Sequence, residues 1–236
     1  MSGTGVLFAL ILISSIPAIA VFAWFRLAHY PFSPSRFLFS LLAGAASFFP
    51  ALFLQRILAA RGGIFLTVGR WGPFVEIFGR IAFTEEISRL LMLSILFLAL
   101  RRFRLLGEQD QFGPQPPPVT IACACGLVAG LGFAVLESAV YGASNPGNAL
   151  LRVVTAAPLH GACGSRVGAS IGMFRESPIQ AVFRFLTAVI IHGVYNFMLV
   201  IPGTLPPLAA ALIALSSLAS CVLTIRAGMT DNRDGG

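Results

Sequence analysis

The sequence predicts an all-α fold: a polytopic transmembrane helix bundle of about seven spans, with an interfacial helix before the third. Three observations lead there. Apolar residues fill 57% of the 236 positions and charged residues only 11%, against roughly 45–50% and 25% in soluble domains. The mean hydropathy is +0.87. The apolar residues also come in runs of about 20, the length needed to cross about 30 Å of hydrocarbon. The net charge of +7 comes from 16 arginines and no lysine. These arginines are scattered between the apolar runs and form no basic patch, so no nucleic-acid partner is implied. Cys123, Cys125, Cys163 and Cys221 lie inside apolar runs without paired spacing, which argues against a disulfide framework or a structural zinc site.

The first span is Val6 to Phe25. Pro17-Ala18-Ile19-Ala20 has the small residues of a signal-peptidase site, but no positive segment precedes it and the apolar run continues beyond, so the span is expected to stay uncleaved. Arg26, His29 and Arg36 with Pro31 and Pro34 make a loop, in which His29 beside Tyr30 reads as an interfacial residue. Phe37 to Leu54 is the second span, ended by Arg56, Arg61 and Gly62-Gly63. Residues 64–80 mix apolar side chains with Arg70, Trp71, Glu76 and Arg80, the pattern of an interfacial helix, with Glu76 solvated or paired to Arg80. Ile81 to Leu100 is the third span, closed by Arg101, Arg102 and Arg104 and followed by a proline-rich linker to Pro118.

In the fourth span, Thr120 to Tyr141, small residues recur at Gly126, Gly130, Ala134 and Ser138, which lets a neighbouring helix approach closely. The fifth, about Leu150 to Phe174, repeats the device with Gly164, Gly168 and Gly172 on the stripe that carries His160. Gln180 to Ile201 is the sixth and Leu205 to Ile225 the seventh. Residues 1–229 read as a single domain and 230–236 as a disordered tail. With the amino terminus outside and the carboxyl terminus cytoplasmic, Arg26, Arg36, Arg101, Arg102, Arg104, Arg175 and Arg226 fall on the cytoplasmic side of a cell membrane.

Chemistry is expected at Glu85-Glu86-Ile87-Ser88-Arg89, which heads an apolar run. Insertion into a membrane helix costs about 2.5–3.5 kcal/mol per such charge, so the group must face protein or water. Arg89 stands at helical i, i+4 from Glu85 and i, i+3 from Glu86, while the two carboxylates point about 100° apart. They are therefore inequivalent, and one can act as a base. An ion pair at a helix end is the plainer alternative. Glu137 with Tyr141, His160, and His192 with Asn196 fall at matching depth on three further spans. A proton relay or a non-enzymatic scaffold would use the same residue types, and two His and a Glu can also ligate zinc with a second Glu as base.

The segments Phe83 to Arg89, Phe133-Ala134-Val135-Leu136-Glu137 with Tyr141, Pro158-Leu159-His160, and His192 to Asn196 resemble, in order, the motifs of the PrsW family of intramembrane proteases. That family is related to the group containing the CAAX prenyl endopeptidases. Arg89 stands where the family more often has Lys, and Glu137 where the CAAX enzymes have His. The resemblance implies peptide hydrolysis in a membrane-protein substrate, such as an anti-sigma factor, by glutamate-activated water. No metal cofactor is expected, because the acids outnumber the imidazoles and no metal-binding helix motif is present. The catalytic residues that the resemblance implies are Glu85, Glu86, Glu137, His160, His192 and Asn196, supported by Arg89 and Tyr141. Glu85 would be the base, Glu86 a supporting acid, and His192 with Asn196 the oxyanion donors.

Overall fold

The computed structural model describes residues 3–60, 72–103 and 117–234, and every regular element among them is helical. Pro17 would set its ring against the carbonyl of Ile13 in a continuous helix. The first apolar stretch accordingly breaks at Ser15 into α1 (Gly3–Ser14) and α2 (Ile16–Leu27). His29, at φ 53°, turns the chain out of α2 while the Tyr30 amide donates to the Phe25 carbonyl. Then come α3 (Pro34–Ala60), α4 (Gly72–Val75), a π-helix (Glu76–Phe83) and α5 (Thr84–Phe103). The π-helix occupies part of the expected interfacial segment, and Glu76 pairs there with Arg80. Residues 64–71 and most of the proline-rich linker lie outside the described residues.

After the linker the chain forms α6 (Val119–Ser144), α7 (Pro146–Val154), α8 (Ala156–Met173), α9 (Pro178–Val200) and α10 (Leu205–Asp234). Two boundaries differ from expectation. The fifth span does not begin at Leu150, because residues up to Val154 form the separate helix α7, capped by the Asn145 side chain. Pro158 accounts for the break, since its ring would meet the Val154 carbonyl if α7 and α8 were continuous. The last helix runs on to Asp234, into the stretch expected as a disordered tail, because adding residues to an existing helix is easier than nucleating one.

Five stretches are long and apolar enough to cross a membrane: Thr4–Leu27, Pro34–Ala60, Val119–Ala143, Pro178–Val200 and Leu205–Met229. They establish a helical membrane bundle. The other two expected spans correspond to α5, which carries the Glu-Glu-Arg group, and to the almost entirely buried α8. All four cysteines are buried and free.

At the centre, α6 lies between α3 and α8. A Cβ at Gly126 would stand 2.1 Å from the Gly164 carbonyl oxygen, and one at Gly130 1.9 Å from that of His160. On the other face a Cβ at Gly44 would stand 1.8 Å from the Ala129 carbonyl oxygen. The pairings run antiparallel and bring the start of α8 beside the end of α6. Gly164→Ala should therefore destabilise the protein by about 1–3 kcal/mol or more, read as a lowered Tm in detergent. Gly79→Ala, where nothing lies within 4 Å of the added carbon, should leave Tm unchanged.

Candidate active site

Helix α5 opens with the Thr84 hydroxyl bonded back to the Arg80 carbonyl, and its first turn points two adjacent carboxylates into the bundle. Glu85, Glu86, Arg89, Glu137, His160 and His192 are all buried, none more than 8% exposed. They converge from α5, α6, α8 and α9. Glu86 is held from two sides, by an ion pair with Arg89 and by His192, whose Nδ1 lies 2.8 Å from Glu86 Oε1. The carboxylate in that ion pair can only accept, so His192 Nδ1 carries a proton, and in the neutral ring Nε2 carries the lone pair. Nε2 is directed at Glu85 Oε2, 3.5 Å away.

His160 is gripped at both ring nitrogens. Nε2 lies 2.7 Å from Glu137 Oε2, and Nδ1 lies 3.3 Å from Arg89 Nη2. With the guanidinium donating to Nδ1, the proton sits on Nε2 and is shared with Glu137. The two imidazoles meet edge to face with centroids 5.0 Å apart. Phe133 packs against His160 at 5.0 Å and under the Arg89 guanidinium at 4.8 Å, so one ring braces both.

Two polar residues that sequence reasoning missed complete the cluster. Gln55, near the end of α3, donates to Glu85 Oε1 at 3.0 Å. Arg152, on α7, pairs with Glu137 and donates from Nε to the Ser138 hydroxyl at 3.2 Å. Partial burial works against the Arg152 charge, but the Glu137 carboxylate outweighs it and holds the guanidinium pKa above its ordinary value. The available signals were modest: an amide directly after the second apolar run, and an arginine inside an apolar segment already assigned to a span.

Asn196 and Tyr141 stand apart. Asn196 lies one turn beyond His192, half-buried, and has no hydrogen bond among the described residues. Tyr141 is 54% exposed, with the Arg152 guanidinium 4.7 Å over its ring. It lines a cavity of about 110 Å³, together with Gln55, Glu85, Phe133 and Glu137, that gives small molecules a way to the carboxylates.

Of all the cluster's carboxylate oxygens, Glu85 Oε2 is the buried one without a hydrogen bond. With the His192 ring neutral, the 3.5 Å contact sets acceptor against acceptor and satisfies neither. Such an oxygen, beside a cavity and facing a lone pair on nitrogen, is placed to take a proton from water or to bind a cation. Glu85, His160 and His192 each offer a ligand atom within 4.8 Å of the others, in the His2Glu donor set of catalytic zinc sites. The fit is partial. Glu85 Oε2 and His192 Nε2 offer free lone pairs, whereas His160 would have to release Glu137 or Arg89 to become a ligand.

Residues 33–223, about four-fifths of the chain, match the family model described as PrsW family intramembrane metalloprotease. No curated protein and no solved structure matches the chain.

Because Glu86 and Arg89 are both fully buried, removing one partner strands a charge, at a cost of about 3–5 kcal/mol. Arg89→Met should therefore lower Tm and yield sharply. Glu86→Gln with Arg89→Met should recover part of the loss, in a double-mutant cycle read by thermal unfolding.

Proposed function

The chain belongs to the PrsW family of intramembrane proteases, and we propose that it cleaves a peptide bond of a membrane-protein substrate with Glu85 as the base that activates water. The supporting observation is the unpartnered, buried Glu85 Oε2, beside the cavity and facing His192 Nε2. In this reading a water is held between the two acceptors. Glu85 Oε2 takes its proton as the oxygen attacks the scissile carbonyl, and Gln55 fixes the carboxylate through Oε1. The proton taken by Glu85 then moves by way of His192 Nε2, 3.5 Å from Glu85 Oε2, to the departing amine, while Glu86 anchors the ring through Nδ1. Glu137 and Arg152 hold His160 in place. Asn196 is assigned as an oxyanion donor because it is half-buried one turn from His192.

The apolar surroundings of the cluster raise the value of each of these contacts. The substrate is a membrane protein, and an anti-sigma factor is the class proposed. The chain is placed in the cell membrane with its amino terminus outside, so the carboxylates sit in the outer half of the bilayer.

A second reading follows from the family's description as metalloproteases and from the Glu85, His160 and His192 donors. Zinc held there would supply a bound water of lowered pKa and a Lewis acid for the carbonyl. The engagement of both His160 nitrogens favours the metal-free version.

Two measurements separate these readings. Glu85→Gln keeps size and most hydrogen bonding but removes the base, so cleavage of a single-span substrate in liposomes should fall by about 10²–10⁴ at normal abundance. Undiminished turnover in that variant rules out Glu85. The wild type should keep full activity after exhaustive chelation; loss that zinc restores would move the assignment to the metal reading.

A further inference from the structure

At the opposite end of the bundle from the carboxylates, α6, α8, α9 and α10 enclose a second polar cavity of about 60 Å³. Arg166 and Arg184 line it, with Ser165, Ser220 and Thr224. Arg166 lies seven residues before the end of α8 at Met173, and Arg184 six residues after the start of α9 at Pro178. At 1.5 Å per residue their Cα atoms lie roughly 10 Å below the helix ends, from where long arginine side chains can snorkel toward the headgroup level. No carboxylate lines the cavity. Arg166 donates from Nη1 to the Ala162 carbonyl of its own helix at 3.0 Å, leaving the rest of its fork free, and Arg184 has no hydrogen bond among the described residues.

Two like charges side by side within membrane helices are costly unless an anion joins them. The protein brings none to this cavity among its described side chains, whereas Arg89 and Arg152 in the carboxylate cluster are each paired with a glutamate. The available anion at that depth is a lipid phosphate, and arginine forks match phosphate oxygens geometrically. Hydroxyls of Ser165, Ser220 and Thr224 complete a donor-rich wall, and the exposed Val182, Phe183 and Leu186 on α9 offer apolar surface for acyl chains.

We propose that this cavity is a binding site for the phosphate of an anionic phospholipid, drawn from the leaflet opposite the carboxylate cluster. The bound phosphate offsets part of the charge of Arg166 and Arg184 and bridges α8 to α9, the helices that carry His160 and His192. Lipid composition would thereby tune the enzyme from the far side of the membrane.

The test uses the full chain in detergent, titrated with phosphatidylglycerol, with phosphatidylcholine of the same acyl chains, or with inorganic phosphate, and read by native mass spectrometry. Phosphatidylglycerol should be retained in preference to phosphatidylcholine. Arg166→Gln or Arg184→Gln should lower that retention about tenfold or more, the loss of one charge-assisted contact, and Arg175→Gln, an exposed arginine at the same end, should not. Should Arg166→Gln fail to fold, the exposed Arg184→Gln still decides, with Arg184→Lys expected to be intermediate. Equal retention of the two lipids, or equal retention by wild type and Arg184→Gln, overturns the proposal. Displacement of the lipid by millimolar inorganic phosphate overturns it too, by showing that the cavity takes the free anion.

Discussion

The ion pair between Glu86 and Arg89, with neither side chain exposed, is the interaction on which the rest of this structure depends. Neither charge can stand alone in an apolar bundle, and together they reach both histidines. Glu86 takes the Nδ1 proton of His192, and Arg89 donates to Nδ1 of His160. The tautomers of two rings on two other helices are thus set from a single turn of α5. Removing the pair would leave both histidines without the partner that orients them.

Reach alone would not suffice without the close approach of α6 and α8. The glycines at 126, 130, 164 and 168 let two backbones come within a Cβ radius of each other. The carbonyl that Gly130 accommodates belongs to His160 itself, so the small-residue stripe and this buried histidine are parts of one contact. That contact puts His160 2.7 Å from Glu137 across the helix pair. In a membrane, where burial of apolar surface gives no drive toward association, such packing and hydrogen bonds between helices carry the assembly.

Much of this was legible in the sequence because a membrane makes polar residues conspicuous. Glu85, Glu86, Arg89, Glu137, His160 and His192 stood out against apolar surroundings, and helical spacing with alternating spans placed them at one depth. Breaks governed by proline stereochemistry were harder to see. Pro158 separates α7 from α8, and with that boundary misplaced Arg152 was hidden inside a supposed span. Gln55 carries no charge, so nothing in composition marked it as a partner for Glu85. Asn196 illustrates the converse limit: i, i+4 spacing from His192 fixes the face of the helix but leaves open whether the side chain joins the network.

The two adjacent glutamates show how one helical step divides labour. Rotation of about 100° per residue aims Glu86 at Arg89 and His192, where both of its oxygens are committed. The same step aims Glu85 at the cavity beside Gln55, where one oxygen is held and the other is not. A carboxylate saturated with donors is a poor base, because each hydrogen bond stabilises the form that would have to accept the proton. Glu86 is therefore suited to fixing a histidine, and Glu85, with one oxygen uncommitted, is suited to meeting water. Glu85 Oε2 also belongs to the trio of ligand atoms within 4.8 Å of one another. A cation held there would need the same lone pair that a proton would take, and His160 could join it only by releasing Glu137 or Arg89.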